Sequence, residues 1–321
     1  MIKAVVAVGM LWWLLQQGAL DFGVLWQGGL HLPLLGLGLL CNLAMISLGA
    51  LRWQLLLGGQ GIHWPFAWVH RMIYLTVCFN LLAPGSVGGD ALRMGYVVRR
   101  CQGAQNGAAI LTILVDRLTG LYALFVIALL AALGNLEPLL ALWPTQILLL
   151  SLALVVVGLP LLLVLLFWGI ERIPGVRERL ESPGSPPDRW LAVALDQTAL
   201  AIRLFRRAKV RLIAAVGVSM LAQAIEIIAL LLIAQGLGLL SGSASHFFVA
   251  APVAWVANLL PISPGGLGVG EAAFAQVCQW LQPTAALTAL GTPFLINRLL
   301  QMVASLPGLW VYLLYRHDAP D

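Results

Sequence analysis

Between Trp143 and Trp168 the chain runs for 24 residues without a charged side chain. A helix needs about 20 apolar residues to cross the hydrocarbon core of a bilayer. Tryptophans at both ends suit the two membrane–water interfaces. With the flanking residues this span reads as 142–169, and Pro160 is expected to kink it. Five other stretches read the same way, at about 2–20, 31–57, 106–133, 210–236 and 286–315. Only 10% of the 321 residues are charged and 61% are hydrophobic, whereas a soluble domain carries about 25% charged residues. The expectation is an all-α polytopic membrane protein, one integral membrane domain over 1–321 with about six full spans. Transmembrane barrels would give short alternating stretches, and none dominate. Lys3 followed by AVVAVGMLWWLL resembles a signal peptide, but no A-x-A cleavage site follows, so a retained first span is expected.

Two further apolar segments, about 65–98 and 246–282, are interrupted by glycine and proline. They read as re-entrant broken-helix hairpins that enter and leave on one side. Arginine and lysine set the orientation. Residues 171–211 carry nine of the eighteen, which places that loop in the cytoplasm. Lys3, Arg52, Arg71, Arg99, Arg100 and Arg316 then fall on the same side, and the external loops, about 21–30, 134–141, 237–245 and 283–285, contain neither residue. Both termini are cytoplasmic on this reading. The sequence pI near 9.3 is explained without nucleic acid. Within the basic linker, about 171–209, Leu191, Leu195, Thr198, Ile202 and Phe205 share one helical face. That pattern fits an interfacial helix on an anionic leaflet or a solvated linker helix.

The two interrupted segments resemble each other. Asn80-Leu-Leu-Ala-Pro-Gly-Ser-Val-Gly-Gly-Asp90 and Asn258-Leu-Leu-Pro-Ile-Ser-Pro-Gly-Gly-Leu-Gly-Val-Gly-Glu271 both run from asparagine through Pro-Gly to a carboxylate. The asparagines stand 178 residues apart and the carboxylates 181. Asp116-Arg117-Leu118 and Asn297-Arg298-Leu299 also stand 181 apart. Repeats at about 31–133 and 210–315 follow, and three full spans between the motifs make them inverted. Inverted repeats with broken helices are a transporter plan, with the site where the halves meet. Irregular backbone at membrane depth is tolerated only inside protein or beside water, so the motifs should face each other across a polar interior.

Seven ionisable residues lie at that depth or in the motifs: Asp90, Arg93, Asp116, Arg117, Glu226, Glu271 and Arg298. Such groups should face inward and pair. A structural ion-pair network accounts best for Asp116 and Glu226. Arg117 and Arg298, at equivalent places, suit a phosphate or another anionic head group. Asp90 and Glu271 would repel that group, so they pair with Arg93, Arg117 or Arg298, or else take up protons during transport. The glycines, among them Gly89, Gly265 and Gly266, allow either helix N–H groups aimed at an anion or close helix packing. Cys41, Cys78, Cys101 and Cys278 show no paired spacing and read as packing residues. Five scattered histidines lack metal-ligand spacing; no metal or cofactor is expected. With no G-x-S-x-G, H-E-x-x-H or P-loop, an enzyme is not expected.

The runs PISPGGLGVGE at 261–271, NLLAPGSVGGDALR at 80–93 and VDRL at 115–118 resemble the flippase-like membrane domain of lysylphosphatidylglycerol synthases and its stand-alone prokaryotic relatives. The resemblance covers nearly the whole chain. It implies translocation of lipids, such as aminoacylated phosphatidylglycerol, between leaflets of the plasma membrane. By motif position it implies Asn80, Gly89, Asp90, Arg93, Arg117, Pro264, Gly265, Gly266 and Glu271 as functional residues. Asp116, Glu226, Asn258 and Arg298 join them as candidates by their place in the polar interior. The soluble aminoacyl-transfer domain of the full synthases has no counterpart before Asp321, so synthesis of the lipid itself is not expected. The partners implied are a membrane lipid and, for an accessory subunit that presents lipid without moving it, an envelope-lipid glycosyltransferase or synthase.

Overall fold

A computed structural model of the protein describes residues 2–21, 23, 31–82, 88–101, 105–170, 208–240, 243–263, 266–282 and 289–317. The described residues are helical, with no strand among them. The first elements are α1 (Ile2–Gln16), α2 (Leu32–Gly59), α3 (Phe66–Leu82), α4 (Gly88–Arg100) and α5 (Gln105–Leu133). A short α6 (Leu136–Ala141) leads to α7 (Trp143–Ala153), which continues through a π-helical turn, Leu154–Gly158, into α8 (Leu159–Ile170). After the linker come α9 (Lys209–Gly236), α10 (Ala244–Ala257), α11 (Val269–Leu281), α12 (Thr292–Ser305) and α13 (Pro307–His317). The interfacial helix expected within the basic linker falls on residues outside those described, as do Pro264 and Gly265.

Five helical segments are long and apolar enough to cross a membrane: Leu32–Gly59, Asn106–Leu133, Trp143–Leu162, Lys209–Gly236 and Thr292–Leu314. They coincide with five of the six stretches read from the sequence. The expected first span is shorter than read. Gly18 adopts φ +73° just after α1, and the Ala19 N–H bonds back to the Leu14 carbonyl, closing the helix. The 15 residues of α1 then rise only about 22 Å. The chain beyond docks on the start of α12, with Gly291 N–H donating to the Ala19 carbonyl and Asp21 N–H to the Thr292 hydroxyl.

Just before Pro160, where a kink is expected, the helix takes a π-helical turn. Proline has no N–H for the carbonyl four residues back. That carbonyl, on Val156, instead accepts the Tyr122 hydroxyl of α5 at 3.1 Å. This span also leaves Leu150, Leu154, Val157 and Leu161 more than half exposed, as a lipid-facing helix would.

The centre of the bundle is α2 against α9. His31 N–H donates to the Gly236 carbonyl at one end, and a Cβ on Gly59 would meet Ala208 at the other, so the two 28-residue helices run antiparallel along their length. The α3–α4 hairpin and the α10–α11 hairpin flank this pair. Each hairpin's first helix packs on a helix from the far part of the chain, α3 on α13 and α10 on α5. One apolar core gathers around the rings of Phe247, Phe274 and Phe294, and another around Trp53, Val69 and Met72.

Candidate functional site

The first glycine-rich motif joins α3 to α4. The Asn80 side-chain oxygen accepts the Gly89 N–H at 2.8 Å, capping the new helix across the break. Gly89 packs on the backbone of α3, and a Cβ there would overlap the Thr76 carbonyl. That contact draws the first turn of α4 against α3 and places Asp90 and Arg93 inward. Asp90 pairs with Arg117 of α5. Arg93 pairs with Asp116 at 3.0 Å, and the other Asp116 oxygen takes the Arg52 Nε of α2 at 2.6 Å. The Arg93 guanidinium lies 3.5 Å from the centre of the Trp53 ring. Two carboxylates and three arginines therefore tie α2, α4 and α5 together.

The second motif joins α10 to α11 and is built differently. Gly266 and Gly268 adopt φ +76° and +83°, a left-handed backbone that glycine enters without a Cβ penalty. The buried Ser263 hydroxyl donates to the Leu267 carbonyl at 2.7 Å and pins the turn. Asn258 fills the space beside Gly266 and Gly270, where any Cβ would overlap its amide. Glu271, fully buried, accepts the Gly268 N–H at 2.8 Å through one oxygen. Its other oxygen is 3.4 Å from the Arg298 Nε of α12. Arg298 also reaches the Gly266 carbonyl at 3.4 Å.

A cavity of about 160 Å³ opens beside this second pair. Its walls are Trp255 of α10 and Asn258 just after it, Phe294, Asn297, Arg298 and Gln301 of α12, and Leu81 at the end of α3. The end of α3 thus reaches the cavity beside the second motif. The cavity is smaller than the roughly 300–1,000 Å³ of a drug-sized pocket, so it suits a compact polar group. Among the described residues, Arg298 Nη1 and Asn258 Oδ1 are buried without a hydrogen-bond partner. Asn297 accepts the Asn42 amide of α2 at 3.0 Å. Gln301 donates to Glu226 of α9 at 2.6 Å.

Several expectations are sharpened or corrected by this geometry. Asp90 and Glu271 are ion-paired, each with the arginine of its own motif. Two of the N–H groups at the helix starts are used locally, by Asn80 at Gly89 and by Glu271 at Gly268. The glycines serve close packing at Gly89, Gly266 and Gly270. Arg117 sits on Asp90 and does not line the cavity, whereas Arg298 does. Asp116 holds an ion-pair network, but Glu226 is bonded to an amide. Arg52, read only as an orientation charge, is a member of that network. Asn42 and Gln301 passed unnoticed, although a polar side chain inside an apolar run was the available signal.

A bundle of apolar helices with ion pairs buried in its interior defines a multi-pass membrane protein. The family model described as the lysylphosphatidylglycerol synthase TM region matches residues 1–308, and the chain belongs to that family. No curated protein and no solved structure matches the chain.

Proposed function

We propose that the protein moves a lipid with an anionic or phosphate-linked head group between the leaflets of a prokaryotic plasma membrane. The observation that carries this reading is the polar cavity beside the second break, walled also by Leu81 at the end of α3, with a buried arginine N–H unused beside it. A fixed guanidinium with spare donors suits a phosphate oxygen. The amides of Asn258, Asn297 and Gln301 supply both donors and acceptors for the rest of a head group. Acyl or prenyl tails would remain in the surrounding lipid.

Inverted repeats support a path through this point. The candidate partners α2 and α9 are antiparallel, as an axis in the membrane plane requires. The ion pairs Asp90–Arg117 and Glu271–Arg298 match at a spacing of 181 for both members. The helices α3 and α10 have 17 and 14 residues, about 25 and 21 Å, short of the roughly 30 Å core. This favours re-entrant hairpins over spans. The basic linker then lies in the cytoplasm with both termini.

The test is reconstitution of purified protein into liposomes with fluorescent phosphatidylglycerol, following its movement between leaflets. The wild type should move the lipid. Arg298→Ala and Glu271→Ala should abolish movement while the protein still inserts. Normal movement by both variants would sink the assignment. Lipid binding without movement by the wild type would favour an accessory subunit that presents lipid to an envelope-lipid glycosyltransferase or synthase.

A further inference from the structure

Glu226 stands apart from the other buried carboxylates. Asp90, Asp116 and Glu271 each face an arginine. Glu226 lies inside α9, only 8% exposed, and its bond is to the neutral Gln301 amide. The helices packed on α9 are α2, α5, α10 and α12. Their charged and titratable groups are otherwise directed. Arg52, Asp116, Arg117 and Arg298 are in the ion pairs described, and the Tyr122 hydroxyl bonds to Val156. Among the described residues, neither Cys41 of α2 nor His246 of α10 hydrogen-bonds to Glu226. An ionisable residue held at membrane depth without an opposite charge is costly, and such groups mark proton relays in transporters.

The partner it has is also a wall of the cavity. An ionised Glu226 only accepts, so Gln301 must turn its NH₂ toward the carboxylate and leave its carbonyl oxygen for the cavity. A protonated Glu226 can donate O–H to that oxygen. The amide then turns over, and the NH₂ group faces the cavity beside Arg298. The first arrangement presents an acceptor to the occupant and the second presents a donor. An anion is favoured by the second.

We propose that Glu226 is a proton-binding residue whose protonation, relayed through Gln301, sets how tightly the cavity beside Arg298 holds an anionic head group. The inference rests on the reading of that cavity as the head-group site. Linkage makes the effect reciprocal: anion binding draws a proton onto Glu226, and acid strengthens anion binding. The proton comes from water and returns to it when the anion leaves.

The probe is glycerophosphoglycerol, a water-soluble phosphodiester whose single negative charge does not change between pH 6 and pH 8. Its binding to the detergent-solubilised full chain is measured by calorimetry at both pH values. The wild type should bind more tightly at pH 6, on the order of tenfold, within the range usual for coupled sites. Glu226→Gln should bind equally at both, near the pH 6 affinity. Glu226→Asp should keep a pH dependence. Gln301→Met, which leaves the carboxyl in place but cuts the relay, should lose it. A Glu226→Gln variant with the wild-type pH dependence overturns the inference. So does a wild type that binds equally at both pH values, and in that case the head-group reading stands. Absent binding by the wild type, or undiminished binding by Arg298→Gln, overturns the head-group reading and the inference with it.

Discussion

The two glycine-rich breaks share a sequence plan and differ in how they are braced. At the first, Arg117 and Asp90 are 28% and 11% exposed, and a second carboxylate, Asp116, gathers Arg52 and Arg93 beside them. At the second, Arg298 and Glu271 are 5% and 0% exposed and have no second ion pair among the described residues. Asn297 stands where the first motif has Asp116, and it meets the Asn42 amide instead of an arginine. The first site pairs its charges with one another, and the Arg93 Nε and Nη2, left without a hydrogen bond among the described residues, lie against the Trp53 ring. The second keeps an arginine N–H and an asparagine oxygen unused beside a cavity. One copy of the motif braces three helices with charge, and the arginine of the other lines a cavity.

That difference is open to test in order of effect. Asp116→Ala leaves Arg52 and Arg93 without their shared carboxylate. Removing one partner of a buried ion pair costs roughly 3–5 kcal/mol, so a large fall in thermal stability in detergent is expected. Asn297→Ala loses one amide–amide bond, and interhelical bonds of this kind average about 0.6 kcal/mol. Equal losses for the two variants would break the comparison.

Packing at the first break comes next. Gly89→Ala forces a Cβ into the Thr76 backbone, which cannot swing aside. Overpacking of this sort costs roughly 1–3 kcal/mol. Gly95, on the same helix, has nothing within 4 Å of a built Cβ. Gly95→Ala should therefore be neutral or gain up to about 1 kcal/mol from helix propensity. Similar melting temperatures for Gly89→Ala and Gly95→Ala would show that the close contact is unimportant.

The smallest effect sharpens the cross-link between halves. Asn42→Ala should cost somewhat more than Asn297→Ala, because Asn42 also donates to the Gly38 carbonyl. The double variant should cost little more than Asn42→Ala alone, because the bond between the two amides is shared. Additive losses, read by the same melts, would mean that the bond between the two amides contributes nothing.

Much of the architecture was legible because span length and hydropathy are local. The stretches at 31–57, 106–133, 142–169 and 210–236 reappear as helices within a few residues. The first stretch did not, because Gly18 closes α1 early. The stretch at 286–315 is split near Pro307, which cannot continue the hydrogen-bond ladder from α12. Of the site, the recurring carboxylate and arginine were legible as motif members. Their pairing was not, since Asp90 had three arginines as possible partners. Arg52 was hidden by its position near the end of a span, where a cation is ordinarily an orientation signal. Asn42 was hidden because α2 is apolar on nearly every face, whereas Gln301 shares a polar face of α12 with Asn297, Arg298 and Ser305 that was there to be read.

By itself the sequence determined that this is a bundle of membrane helices, where its backbone breaks and which residues stand at the breaks. Those facts depend on side-chain transfer energies and on the few residues that interrupt a helix, and both are properties of neighbours in the chain. The tertiary structure decided which arginine each carboxylate meets and that Arg298, not Arg117, lines the cavity beside the second motif. It also decided that Glu226 faces an amide. Those outcomes depend on how helices far apart in the chain rotate and approach, which contact distance and burial settle and local composition does not.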